Sequence, residues 1–283
     1  MHHAHALSVV TPGLCNQCQE LFCYLCFAMP NKIIFLGTGT STGVPVLTCD
    51  CEVCRSENPR DKRLRTAAYI ECNGLRLIID CGPDFRQQLL TNNINDFDAV
   101  LITHGHRDHI AGLDDIRAFN YIRGKTIDIY ANAATVESIK TEFPYIFDPG
   151  DYLGAPKINL TVVDDKPFEI NGQKIIPIPV IHGEAPILGF RMDNMVYVTD
   201  ASYISESSLE LMKDAKLLVL NALRKKKHPS HVSLDEALEH IQKLHPQHAY
   251  LTHISHFLGL HDVVQKSLPP NVFLAYDGLT AEC

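Results

Sequence analysis

No stretch of this 283-residue chain approaches the roughly 18 consecutive apolar residues of a membrane span, so no membrane partner is expected. Positive charge is also scarce. Lys and Arg number 25 against 33 Asp and Glu, and the formal charge of −8 excludes a non-specific nucleic-acid coat while leaving room for a local basic patch. Internal repeats, low-complexity tracts and a recognisable linker are all missing, which argues against a solenoid and leaves residues 30–283 as one expected domain. The apolar run Leu21–Ala28 lacks the basic flank of a secretory leader, and the expected compartment is the cytoplasm.

What the chain has in quantity is histidine, 15 residues, and cysteine, ten. Cys15, Cys18, Cys23 and Cys26 form two CxxC pairs, but only four residues separate the pairs, against the roughly 12 to 20 of a zinc ribbon. Pro30-Asn31-Lys32 leads from Met29 straight into an apolar run, Ile33–Leu36. Residues 1–28 are therefore expected to be a disordered or non-native extension. Cys49, Cys51 and Cys54 are different: CxCxxC after a glycine-rich turn suits a structural zinc ion once a fourth ligand arrives from elsewhere. Cys72, Cys81 and Cys283 have no such spacing and read as two buried small hydrophobes and a terminal thiol.

Short β-rich runs alternate with helical patterns from residue 32 onward, which says α/β or α+β. Three hairpins are expected, across Asn73-Gly74, Asn171-Gly172 and Asp193-Asn194, since these residues tolerate positive φ. Helices are expected over Phe85–Asn92, Asp108–Ile122, Ala134–Glu142, Glu206–Lys213 and Leu234–Leu244. The last has an S-x-x-E capping box, Ser233 and Glu236, ahead of apolar residues at helical spacing. Further strands are expected at Ala99–Thr103, Leu217–Leu220, Ala249–Thr252 and Val272–Ala275.

Directly after the apolar run Ala99–Ile102 comes Thr103-His104-Gly105-His106-Arg107-Asp108-His109. Three histidines and an aspartate within six residues at a strand end are ligands for zinc, manganese or iron, and their different reach lets one loop serve two ions. His104 and His106, at alternating positions, suit one ion; Asp108 and His109 can begin a second site.

This HxHxDH run closely resembles the defining motif of the metallo-β-lactamase superfamily, and the resemblance extends over most of 32–277. It implies a four-layer αββα sandwich and further ligands that each end an apolar run: His182, Asp200 and His253. The implied centre has His104, His106 and His182 on one divalent ion, zinc or manganese, and Asp108, His109 and His253 on the other. Asp200 would bridge them. Asp80, in Ile78-Ile79-Asp80-Cys81-Gly82, matches the superfamily aspartate that orients a ligand from behind.

The segment Gly37-Thr38-Gly39-Thr40-Ser41-Thr42-Gly43-Val44-Pro45 lacks the Gly-Lys-Ser/Thr of a nucleotide P-loop. Followed by CxCxxC, it resembles the PhnP-like phosphodiesterases that open phosphoribosyl 1,2-cyclic phosphate. That family's pattern makes His256, three residues beyond His253, the fourth ligand of the cysteine site. It also makes His231, in His228-Pro229-Ser230-His231-Val232-Ser233, the non-ligand histidine that meets the scissile phosphate or its leaving oxygen. Asp108, Asp200 and His231 would stand closest to the reacting atoms.

The resemblance thus implies a binuclear metal-dependent hydrolase acting on a small phosphate ester, with a homodimer as the suggested assembly. Two other readings stay open: a tRNA 3′-processing endonuclease, opposed by the net acidity and the CxCxxC loop, and a non-catalytic binding or cofactor-biosynthesis protein on the same fold. Residues Arg224–Lys227 form the longest basic run, able to steer a phosphate or simply to be solvated. His240, His245, His248 and His261 fit no ligand pattern.

Overall fold

Strand β1 (Lys32–Gly37) shows the period that builds the molecule: Ile33 and Phe35 face one side, Ile34 and Leu36 the other. In the computed structural model, which describes residues 30–283, both sides are covered. Residues 1–29, with the four N-terminal CxxC cysteines, lie outside the described residues.

Two seven-stranded mixed sheets result. The first runs β14 (Thr280–Glu282), β1, β2 (Ala67–Cys72), β3 (Leu75–Ile79), β4 (Ala99–Leu101), β5 (Ile127–Ala131) and β6 (Ile158–Val162). The second runs β13 (Val272–Leu274), β12 (His248–Thr252), β11 (Leu217–Asn221), β10 (Met195–Tyr197), β9 (Ala185–Met192), β8 (Gln173–His182) and β7 (Phe168–Ile170). The three hairpins form at the expected turns, with Asn73, Asn171 and Asp193 all at positive φ.

The layers follow from the side chains. Phe35, Leu77 and Leu101 of the first sheet share a core with Phe190, Tyr197 and Val219 of the second. On the outer face of the second sheet, Leu218 and Leu220 pack with Leu209, Ala237 and Ile241 of helices Glu206–Met212 and Leu234–Leu244. Ile78 and Val100 of the first sheet pack with Phe85, Leu89, Val136 and Ile139 of helices Phe85–Thr91 and Ala133–Glu142. Three apolar interfaces separate four layers, the αββα sandwich. Among the described residues no helix is long and apolar enough to cross a membrane.

One expected element is not continuous. In place of a helix over Asp108–Ile122, the chain forms Arg107–Ile110, a 3-10 turn Leu113–Ile116, and Arg117–Arg123. Gly112 is the reason. It lies against the β3 exit loop, where its N–H donates to the Cys81 carbonyl at 2.8 Å and a Cβ would stand 2.1 Å from the Gly82 oxygen.

Candidate metal centre

The HxHxDH run leaves β4 and crosses the edge between the sheets. His104 Nε2 and His106 Nδ1 face each other at 2.9 Å, and the His182 ring, at the end of β8, lies 5.2 and 5.0 Å from theirs. One ring nitrogen from each of the three histidines lies within 4.8 Å of the others. Asp108, His109 and His253 form a second such group. Asp200 stands between the groups: one carboxylate oxygen is 3.0 Å from His253 Nε2, the other 3.4 Å from His109 Nε2, and the residue also clusters with His104 and His182.

Partners behind these side chains set which nitrogen is presented. His109 Nδ1 lies 2.6 Å from the Asp80 carboxylate, and His182 Nδ1 donates to the Ser230 carbonyl at 2.6 Å, so both rings turn Nε2 inward. Thr103 donates its backbone N–H and its hydroxyl to Asp80, and its Oγ1 lies 3.0 Å from His104 Nδ1. Thr40, from the glycine-rich loop, places Oγ1 3.1 Å from His253 Nε2. Thr103, Thr40 and the Ser230 carbonyl are the residues that motif reading did not single out. Asp80, Asp200 and His253 share a backbone feature, φ between 55° and 64°, directly after β3 and β12 for Asp80 and His253 and three residues beyond the end of β10 for Asp200, which turns each side chain away from its strand's run.

The donor set fits divalent cations. With Nδ1 committed to Asp80, His109 Nε2 is a fully buried lone pair without a hydrogen-bond partner, aimed at the carboxylates of Asp108 (3.3 Å) and Asp200 (3.4 Å). Acceptors facing acceptors in a buried site call for a cation between them. Burial alone would push His109 down, yet Asp80, Asp200 and Asp108 hold it well above its ordinary value, so the same carboxylates that would share a metal ion with Nε2 place a proton there when no metal is bound. Burial likewise opposes ionisation of Asp200, but His253, His109 and His104 keep its carboxyl far below the usual range. His231 stacks on His253 at 4.9 Å, with Nδ1 3.5 Å from Asp200 and without a hydrogen-bond partner; burial and then His253 press it down to about 3.

The cysteine loop makes a separate cluster. Cys49, Cys51 and Cys54 place their sulfurs 3.3, 3.3 and 3.4 Å from His256 Nδ1. An N–H of Cys54 and the His256 ring bring the Cys51 thiol down to about 6 in spite of burial, whereas burial raises Cys54 to about 11. Four N and S donors at this spacing suit a closed tetrahedral zinc site.

A four-layer sandwich with this edge site defines a metallo-β-lactamase-fold hydrolase. The beta-lactamase superfamily domain model matches residues 75–254. A crystallised diphosphatase of the PhnP family is 42% identical, with a TM-score of 0.84, and the match covers 90% of this chain and 98% of that one. The chain therefore belongs to the beta-lactamase superfamily and, within it, to the PhnP family. An octanoyltransferase of Porphyromonas gingivalis is 41% identical over 253 residues, 88% of this chain but 51% of that protein, so the chain spans about half of this curated relative. The short form of human tRNase Z, 19% identical with a TM-score of 0.63 over 88% of this chain and 98% of that one, shares the fold.

Proposed function

We propose that this protein hydrolyses a small phosphodiester, a cyclic phosphate such as phosphoribosyl 1,2-cyclic phosphate, at a centre of two divalent ions, zinc or manganese. The observation that carries the proposal is the position of Asp200, whose two oxygens face His253 and His109 while the residue also clusters with His104 and His182. His104, His106 and His182 would hold one ion, Asp108, His109 and His253 the other, and Asp200 both. A pair of cations sharing a carboxylate polarises a phosphoryl group and supplies a nucleophilic water at neutral pH. Cys49, Cys51, Cys54 and His256 would hold a structural zinc.

The protein's own groups do the rest. Asp80 and the Ser230 carbonyl keep His109 and His182 in the tautomers that present Nε2. His231, neutral at pH 7 in its buried position, offers one N–H to an anionic oxygen lodged beside Asp200. That oxygen's charge favours the imidazolium, so with substrate in place His231 would take up a proton from solvent, hold the phosphoryl group, pass that proton to the departing sugar oxygen and return to the neutral imidazole.

The diphosphatase relative supports phosphorus chemistry over lactam or thioester hydrolysis. The octanoyltransferase name belongs to a protein about twice the aligned length, and no described cysteine clusters with Asp200, so thiolate-mediated acyl transfer draws no support. The test is hydrolysis of bis-p-nitrophenyl phosphate and a ribose cyclic phosphate, with metal content measured on the same samples. Loss of turnover and of bound metal in Asp200→Ala supports the proposal. A metal-loaded wild type inert towards both esters overturns it and turns attention to tRNA precursors, whose binding would weaken steeply with salt.

A further inference from the structure

Strand β11 reads Leu217-Leu218-Val219-Leu220-Asn221, and its closing asparagine is as fully buried as the four apolar residues before it. By the strand's alternation Asn221 lies on the face of Leu217 and Val219, which pack between the sheets. A primary amide there costs stability unless its donor and acceptor are met. A single residue of the neighbouring segment meets both. Asn221 Oδ1 accepts from the Ala201 N–H at 2.9 Å, and Nδ2 donates to the Ala201 carbonyl at 3.0 Å.

The reason lies one residue upstream. Strand β10 runs beside β11 as far as Tyr197 opposite Val219, and Val198 still donates to the Val219 carbonyl at 2.9 Å. Asp200, at φ 59°, then turns the chain, and the Asn221 side chain makes the two bonds with Ala201 that the ladder no longer supplies. Two other segments join at the same place. Val232, the residue after His231, donates its N–H to the Ala201 carbonyl at 2.8 Å. Ser202 donates its N–H and its hydroxyl to the Ile181 carbonyl at 2.7 and 2.9 Å, and its hydroxyl accepts from the Gly183 N–H at 2.9 Å, so it brackets His182. Asp200, His182 and His231, whose donor atoms all lie within 4.8 Å of one another, are thus carried by segments that meet at Ala201-Ser202.

We infer that Asn221 is a positioning residue for the metal centre: by gripping both polar groups of Ala201 it fixes the turn that aims Asp200 between the two histidine groups and keeps that carboxylate in register with His182 and His231. The inference rests on the two-ion reading of the site but on no particular substrate. Its amide touches neither ion nor ester, and its effect on both passes through the Asp200 backbone.

The test uses manganese(II), which carboxylate and imidazole accept and which thiolates favour least, so that zinc in the cysteine cluster stays as an internal control. Wild type, Asn221→Leu and Leu220→Val are compared; Leu220 packs on the outer face of the same strand, and its variant lowers stability without reaching Ala201. In the wild type, two manganese ions sharing Asp200 give a spin-coupled paramagnetic resonance spectrum. Asn221→Leu should retain its zinc and its circular dichroism, bind the second manganese about tenfold more weakly, and show the six-line spectrum of isolated ions. Leu220→Val should melt earlier with the coupled spectrum intact. A coupled spectrum and unchanged affinities in Asn221→Leu overturn the inference and leave Asn221 a residue of the fold alone. A wild type with only isolated ions overturns it too. Should Asn221→Leu not fold, Asn221→Asp decides: it has the same size and still accepts from the Ala201 N–H, but as a carboxylate it cannot donate to the carbonyl. Weaker coupling there sustains the inference, and a wild-type spectrum overturns it. Neither readout involves an ester, so a chain inert towards both phosphodiesters would fail the functional reading while this result stands.

Discussion

Arg63, His261 and Asp277 form a buried network beside the site, and their charges set an acid dependence. Arg63 Nη1 donates to Thr38 Oγ1 (2.7 Å) and the Ala275 carbonyl (2.6 Å), and its Nη2 lies 3.2 Å from His261 Nδ1. Burial and then Arg63 depress His261 from 6.5 to about 4, so the folded chain binds fewer protons here than the unfolded one. The stability from this group is full above 6.5 and is lost as pH falls towards 4. Asp277 runs the other way. Burial raises it from 3.8 to about 6, and its contribution, full below 3.8, is lost as pH rises through 6. Urea unfolding at pH 7 and pH 4.5 should show His261→Gln spared on the order of 2 kcal/mol of the acid loss seen in the wild type. Equal losses in the two proteins would mean that His261 titrates normally. These residues matter to function by position, since Thr38 and Thr40 share the glycine-rich loop and Thr40 touches His253.

At the scale of elements, the break at Gly112 shows how a helix-compatible sequence yields to a neighbour. The Asp108–Ile122 segment has no proline, and its apolar spacing suits one helix. The β3 exit loop lies in the way: Cys81 donates its N–H to the His109 carbonyl at 2.7 Å and accepts from Gly112 at 2.8 Å. These two bonds hold Asp80 and His109 at hydrogen-bond distance. Gly112→Ala would drive a Cβ to 2.1 Å from a backbone oxygen and 2.7 Å from Phe85 Cβ, a clash that no flexible side chain can relieve. The variant should lose about 3 kcal/mol and bind active-site metal more weakly. Wild-type thermal stability together with wild-type metal content would refute this account. The helix Leu234–Leu244, by contrast, starts where the capping box places it, with Ser233 and Glu236 satisfying each other's N–H groups.

For the molecule as a whole, the cysteine cluster is a clamp between distant parts of the chain. Ile254 donates its N–H to the Thr38 carbonyl and accepts from Thr40 N–H, and two residues later His256 meets three sulfurs from the 49–54 loop. A site that joins the glycine-rich loop to the β12 exit supports His253 from behind. Cys54→Ser should therefore bind one metal ion fewer per chain and melt at a lower temperature, because a closed zinc site contributes directly to folding. Unchanged metal stoichiometry by elemental analysis would remove the cluster from the list of metal sites.

Local patterns settled a good deal. Asn-Gly pairs set hairpins because positive φ is a property of those residues, and HxHxDH marked candidate ligands, which the fold gathers at one edge, because no packing need explains three imidazoles at a strand end. Family likeness extended this to His182, Asp200, His253 and the αββα layers. The unbroken helix over 108–122 was wrong because the obstacle at Gly112 lies 30 residues upstream in sequence, and no local period can register it. Strands β5, β6 and β14 went unnamed: β6 is an edge strand with exposed side chains, and β14 is three residues long. Thr40, Thr103 and the Ser230 carbonyl also stayed hidden, since a threonine hydroxyl or a carbonyl becomes a positioning group only when folding brings a ligand within hydrogen-bond distance. Residue chemistry and spacing are written locally and so determined which groups the site would use. Which nitrogen each histidine presents, and that His228 stands beside His231, depended on neighbours up to hundreds of residues away, and only the tertiary structure decided them.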